Sequence, residues 1–224
     1  MNLLAEKARE RVARSGIKMA QAGLVVGTWG NVSCRVSRED LVVITPSGMA
    51  YDSLQPQDIV VVNLDGEIVE GERRPSTELE LHLAIYRARP DVQAVMHTHS
   101  VFASAMAVAR QPIPPVVEDV AQIVGGQVPV AEYAPPGSRQ LARNVVSALG
   151  QGNAVLLCNH GVVGVGGSLD EAFVVCQIVE KAAQVYLWAG LAGTPAVLSE
   201  KEVADLRRDY LTFYGQNKGG GGRK

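Results

Sequence analysis

His97 and His99 stand one residue apart at the end of the apolar run Ala94-Val95-Met96. In a strand alternate side chains share a face, so both imidazoles project the same way, about 6.6 Å apart along the backbone. Neutral imidazoles held like that form half of a metal site. Ser100 is placed to begin a helix, which puts the pair at the carboxyl end of a strand, where α/β proteins carry their chemistry. The chain has four histidines, His82, His97, His99 and His160. His160 follows a second apolar run, Ala154-Val155-Leu156-Leu157-Cys158, in Asn159-His160-Gly161. Three imidazoles with an open fourth position make a catalytic zinc site, and Mn, Co or Fe take the same ligands. Because the ligands are neutral, the ion keeps its double charge and acts as a Lewis acid on a carbonyl or an enediolate. His82 is expected to be structural, on a helix behind Glu78.

Three turns carry small donors: Thr28 with Asn31, Ser47 with Gly48, and Ser76 with Thr77. Backbone N–H groups, hydroxyls and a helix N-terminus can together hold a phosphate with no lysine. Each turn alone has an ordinary backbone explanation; their weight lies in the metal site beside them. Glu78, in the first turn of a helix, is a favourable partner for the helix dipole. Next to a phosphate pocket and a metal ion, the same carboxylate is placed to move a proton at a carbon beside a carbonyl.

The elements that must position these groups follow from pattern. Residues 3–22 read as an amphipathic helix, with Leu4, Ala8, Val12, Ile17 and Ala20 on one face and Glu6, Lys7, Arg9, Glu10 and Arg14 mostly on another. Strands are expected around Val32–Val36, at 41–44, at 59–62 and after the Asp65-Gly66 turn. Thr77 with Glu80 matches a capping box, which predicts a helix from about 76 to Arg89, stopped by Pro90, with Glu78 and His82 on one side. Further helices are expected at 103–109, 138–149, 168–190 and 199–213, with strands at 128–130, 154–158 and 162–165. The fold class is α/β, a sandwich around a mainly antiparallel sheet. Residues 1–217 are one domain, and the Gly-rich tail at 218–224 is expected to be disordered.

With 224 residues, 47% of them hydrophobic, the chain can bury a sizeable core. A net charge of −2 with no basic stripe argues against a nucleic-acid partner. The charged start and the lack of an 18-residue apolar run predict a soluble, cytoplasmic protein without a membrane partner. Cys34, Cys158 and Cys176 sit in apolar sequence and are expected as buried thiols.

These pieces together resemble the class II aldolase/adducin family: Gly27-Thr28-Trp29-Gly30-Asn31-Val32-Ser33, Ile44-Thr45-Pro46-Ser47-Gly48, Pro75-Ser76-Thr77-Glu78, His97-Thr98-His99, Asn159-His160-Gly161 and the ending from Leu198-Ser199-Glu200 to Phe213-Tyr214-Gly215. The resemblance implies a three-layer α/β/α sandwich and a homotetramer of fourfold symmetry with sites between subunits. It implies one zinc ion (Zn2+) per subunit on His97, His99 and His160, with Glu78 as acid/base and resting ligand. It also implies a sugar phosphate held by Asn31, Ser47, Gly48, Ser76 and Thr77, and Tyr214 reaching a neighbour's site. The reaction would be reversible cleavage of a ketose 1-phosphate, such as fuculose 1-phosphate, to dihydroxyacetone phosphate. Fuculose-phosphate aldolases carry a second tyrosine roughly where this chain has Val117-Glu118-Asp119. Asp119 instead resembles an aspartate of the ribulose-phosphate 4-epimerases, which with the methylthioribulose-phosphate dehydratases are the alternatives inside the family. A non-catalytic adducin-like interaction module is the distant one, although such heads lack the metal histidines.

Overall fold

The computed structural model describes residues 3–36 and 39–214, so the Gly-rich tail lies outside the described residues. The strands β1 (Asn31–Arg35), β2 (Leu41–Ile44), β3 (Val60–Asn63), β4 (Ile68–Glu70), β5 (Ala94–Thr98), β6 (Val130–Ala131), β7 (Ala154–Leu157) and β8 (Gly161–Gly166) form one sheet in the order β4-β3-β2-β1-β5-β8-β7-β6. Its pairings are antiparallel except β6 with β7, which is parallel. The mainly antiparallel α/β fold read from the sequence is therefore present.

Among the described residues six α-helices clothe the sheet: α1 (Leu3–Gln21), α2 (Leu79–Ala88), α3 (Val101–Val108), α4 (Arg139–Leu149), α5 (Leu169–Ala192) and α6 (Glu200–Phe213). Strand periodicity sorts neighbouring side chains to different cores. Val43, Val61 and Met96 pack with α1 and α5, whereas Val42, Val62 and Val95 pack with α2 and α4. Strand β5 is buried at every position, Ala94 to Thr98, which is why it reads as a continuous apolar run ending in histidine.

Two local expectations fail. The α1 face is rotated from the one expected: Arg9 is buried and paired with Glu70 at 2.8 Å, while Leu4 is 41% exposed. The Thr77–Glu80 capping box does not form. Helix α2 starts at Leu79 with Glu78 as N-cap, Glu80 pairs with Arg87, and Ser76 Oγ accepts from the Glu78 N–H.

Candidate active site

The central ladder does the assembly. In the β1–β5 pairing Asn31 lies opposite His97, and in the β5–β8 pairing His97 lies opposite Val163. Cross-strand neighbours are the closest contacts a sheet offers, so the ladder sets Asn31 beside His97. His160 arrives from the β7–β8 turn, where Asn159 takes φ 57. Asparagine is among the few non-glycine residues that tolerate that left-handed conformation. Gly161 lets β8 pass beneath the rings: a Cβ there would stand 2.3 Å from the Thr98 carbonyl oxygen and 3.2 Å from His97 Cε1. Glu180 of α5 accepts from the Phe102 and Ala103 N–H groups at 3.0 and 2.8 Å, fixing the start of α3 just past His99.

Ligand atoms of Glu78, His97, His99 and His160 all lie within 4.8 Å of one another. His97 is fully buried, and its Nδ1 donates to the Val162 carbonyl at 3.0 Å, so its Nε2 is the atom that faces the cluster. That Nε2 stands 2.9 Å from His99 Nε2 and 3.1 Å from Glu78 Oε2, while His160 Nε2 is 3.6 Å from Glu78 Oε1. Glu78 Oε1 is buried without a hydrogen-bond partner. Imidazole nitrogens and carboxylate oxygens gathered this closely are the arrangement a cation among them would hold together. Three imidazole nitrogens and a carboxylate oxygen are the donor set a divalent ion such as zinc takes, so these residues fit one.

The electrostatics agree. Burial, then the neighbouring imidazoles, pushes His99 down to about 3, and burial with His97 pushes His160 down to about 4, so both rings are neutral at neutral pH, the form a metal ion takes. Burial works to raise the Glu78 carboxyl. The adjoining His97 and His160 rings and the hydrogen bond from Asn31 outweigh it and hold Glu78 well below the usual carboxylate range.

Beside the cluster opens a cleft of about 160 Å³. Thr28, Asn31, Ser47, Gly48, Ser76 and Thr77 all line it, together with Glu78, His99, His160, Trp29 and Pro136. Backbone contacts tie the turns together: the Ser47 N–H donates to the Arg74 carbonyl and the Ser76 N–H to the Thr45 carbonyl, each at 3.0 Å. Tyr51 donates to the Gly30 carbonyl at 2.6 Å and steadies the 28–31 turn. A larger groove of about 870 Å³ between α6 and residues 125–127 carries none of the histidines; donor chemistry marks the smaller cleft as the site.

Two predicted residues stand apart from this cleft. Asp119 forms an ion pair with Lys181 of α5, and Tyr214, 65% exposed, caps α6 and stacks on Tyr210. The structure also adds what the sequence reading missed. His82 has no solvent exposure and contacts Asn31 and Ser33, and the Trp29 ring stands 5.9 Å from that of His99.

Residues 10–187 match the model of the family described as Class II Aldolase and Adducin N-terminal domain. The chain belongs to the class II aldolase family. This class II aldolase chain is 39% identical over 214 residues to a 5-deoxy-D-ribulose 1-phosphate aldolase of Bacillus thuringiensis serovar kurstaki, covering 96% of this chain and 100% of the relative. It is 35% identical over 208 residues to the L-fuculose phosphate aldolase of Escherichia coli strain K12, covering 92% and 95%. A solved structure of an L-fuculose 1-phosphate aldolase superposes with a TM-score of 0.89 at 36% identity, over 92% of this chain and 96% of that one. As a class II aldolase the protein is a lyase, with a Glu/His cluster suited to a divalent metal. Among the described residues no helix is long and apolar enough to cross a membrane.

Proposed function

We propose that this class II aldolase is a zinc enzyme that reversibly cleaves a deoxy-ketose 1-phosphate, of the 5-deoxyribulose or fuculose kind, to dihydroxyacetone phosphate and an aldehyde. The observation that carries the reading is the adjacency of the three-histidine, one-carboxylate cluster to a cleft lined by small donors. The names of the relatives support the substrate class. His97, His99 and His160 would hold the ion, which when bound supplies Lewis-acid polarisation of the substrate carbonyl. Asn31, Ser47, Gly48, Ser76 and Thr77 would hold the phosphate, helped by the amino end of α2. Cleavage between C3 and C4 moves one proton, net, from the C4 hydroxyl to C3. Glu78, buried at the junction of cleft and cluster, is the group placed to deliver it to C3.

The assembly belongs to the same reading. A fourfold homotetramer of α/β/α subunits would bring Tyr214 to a neighbour's site. Trp188 and Leu191, 58% and 87% exposed, support an apolar contact surface at the carboxyl end of α5. The unpaired, buried cysteines suit a reducing cytoplasm. The test is metal content of the purified protein coupled to dihydroxyacetone phosphate release from a panel of ketose 1-phosphates. Near-stoichiometric zinc with release is expected. Bound zinc without release would replace the aldolase with the epimerase or dehydratase.

A further inference from the structure

Behind the site, away from the cleft, runs a buried chain of polar groups. Asn31 Nδ2 stands 3.1 Å from Glu78 Oε2, Asn31 Oδ1 is 2.5 Å from His82 Nε2, His82 Nδ1 is 2.6 Å from Ser33 Oγ, and Ser33 Oγ is 2.8 Å from the Tyr86 hydroxyl. Ser33, His82 and Tyr86 have no solvent exposure and Asn31 has 4%. The geometry comes from two periodicities. Asn31 and Ser33 share one face of β1 at a spacing of two, and His82 and Tyr86 share one face of α2 at a spacing of four.

The direction of every bond follows from one end. A carboxylate only accepts, so the Asn31 nitrogen must face Glu78 and its oxygen must face His82. His82 Nε2 therefore carries the hydrogen. In a buried neutral ring with its hydrogen on Nε2, Nδ1 is an acceptor. Ser33 then donates to His82, and Tyr86 donates to Ser33. All four bonds point their hydrogens toward Glu78.

We propose that His82 is a positioning residue: by donating from Nε2 it locks the Asn31 amide with its nitrogen toward Glu78, leaving that nitrogen's second N–H for an anion in the cleft. An amide turned over would aim its oxygen at both the Glu78 carboxylate and an incoming phosphate. A histidine that merely filled the core would have no such directional consequence. This inference rests on the roles given above to Glu78 and Asn31, and the Ser33 and Tyr86 hydroxyls, which donate or accept, complete the chain whose direction Glu78 sets.

The test is a double-mutant cycle on the metal-loaded enzyme with His82→Leu and Asn31→Ala, reading kcat/KM, the Kd of inorganic phosphate, and Tm. His82→Leu is expected to lower kcat/KM about 10- to 100-fold, the range for a residue that orients a site group, and to weaken phosphate binding. In the Asn31→Ala background it should change either by less than about twofold, because the residue it acts through is gone. His82→Gln, which keeps a donor near the Nε2 position, should restore most of the loss. Equal effects in both backgrounds would overturn the proposal and leave His82 a core filler. Should His82→Leu not fold, the 15N shifts of the wild-type ring decide: a hydrogen on Nε2 is expected, and the Nδ1–H tautomer, which leaves Nε2 bare, refutes the lock. The tautomer and the phosphate Kd do not depend on which sugar is cleaved, so failure of the aldolase reading shows separately, as a wild type that releases no dihydroxyacetone phosphate.

Discussion

Gly161→Ala isolates the close approach on which the histidine cluster is built. Gly161 does not occupy the left-handed region, so alanine brings no backbone strain of its own and its methyl acts by contact alone. That methyl would stand 2.3 Å from the Thr98 carbonyl oxygen, with His97 Cε1 and His99 Cδ2 at 3.2 and 3.3 Å. Restoring ordinary contact to the carbonyl means parting β5 from β8 locally by about 1 Å. Overpacking of this kind costs about 1–3 kcal/mol, read as a melting-point drop of about 2–4 °C per kcal/mol for a chain of this length. The functional loss should exceed the stability loss, because a displacement of about 1 Å at a reacting centre costs on the order of 10²-fold in rate. Differential scanning fluorimetry, bound-metal analysis and kcat/KM on one preparation make the comparison. Gly190→Ala is the control: nothing lies within 4 Å of its added methyl, and alanine there, near the end of α5, should stabilise by about 0.5–1 kcal/mol. Wild-type Tm, metal content and turnover in Gly161→Ala would refute the reasoning.

Other perturbations have equally definite outcomes. Glu78→Gln should keep the fold and phosphate affinity but lose turnover by about 10² or more; undiminished turnover removes Glu78 from the proton path. His82 gives an acid-lability prediction. Its native pKa of about 3 lies below the roughly 6.5 of an unfolded histidine, so as pH falls between those values the unfolded chain binds a proton that the native chain does not, and stability drops. His82→Gln should therefore flatten the acid limb of a urea-denaturation series by about 1.4 kcal/mol per pH unit near pH 5; an unchanged slope contradicts a neutral buried ring. Glu180→Ala removes the acceptor for the first N–H groups of α3 and should cost about 1–2 kcal/mol, measured by chemical denaturation. A loss below 0.3 kcal/mol, roughly the noise of such measurements, would show those N–H groups satisfied by water.

What could be read from the sequence was what a short window encodes. A spacing of two on an apolar strand placed His97 and His99 on one face, and a second apolar run ending in His160 gave the third imidazole. The donor turns were legible because glycine, serine and threonine cluster between strands, and the structure brings them to one cleft. Features set by distant partners were not legible. Arg9 is inside because Glu70, 61 positions away, receives it, and helical periodicity carries no trace of that pairing. The Thr77 capping signal was real as a local pattern but lost to Glu80 pairing with Arg87. His82 looked like filler because its partners lie 49 and 51 residues upstream. A usable signal did exist: small polar residues at 31 and 33 in an apolar strand answer His82 and Tyr86 one helical turn apart.

The ligand atoms of the cluster come from positions 78, 97, 99 and 160, and only one pair of those is close along the chain. An unfolded chain therefore offers an ion His97 and His99 at most, while the folded sheet offers four donors. Binding that distinguishes the two states so strongly ties occupancy to folding by mass action: an ion at a hundred times its dissociation constant adds about 2.7 kcal/mol to stability. A cell short of the metal would hold enzyme that is easier to unfold and easier to degrade as well as idle. Metal supply would then set how much of this aldolase persists, as well as how fast each molecule works.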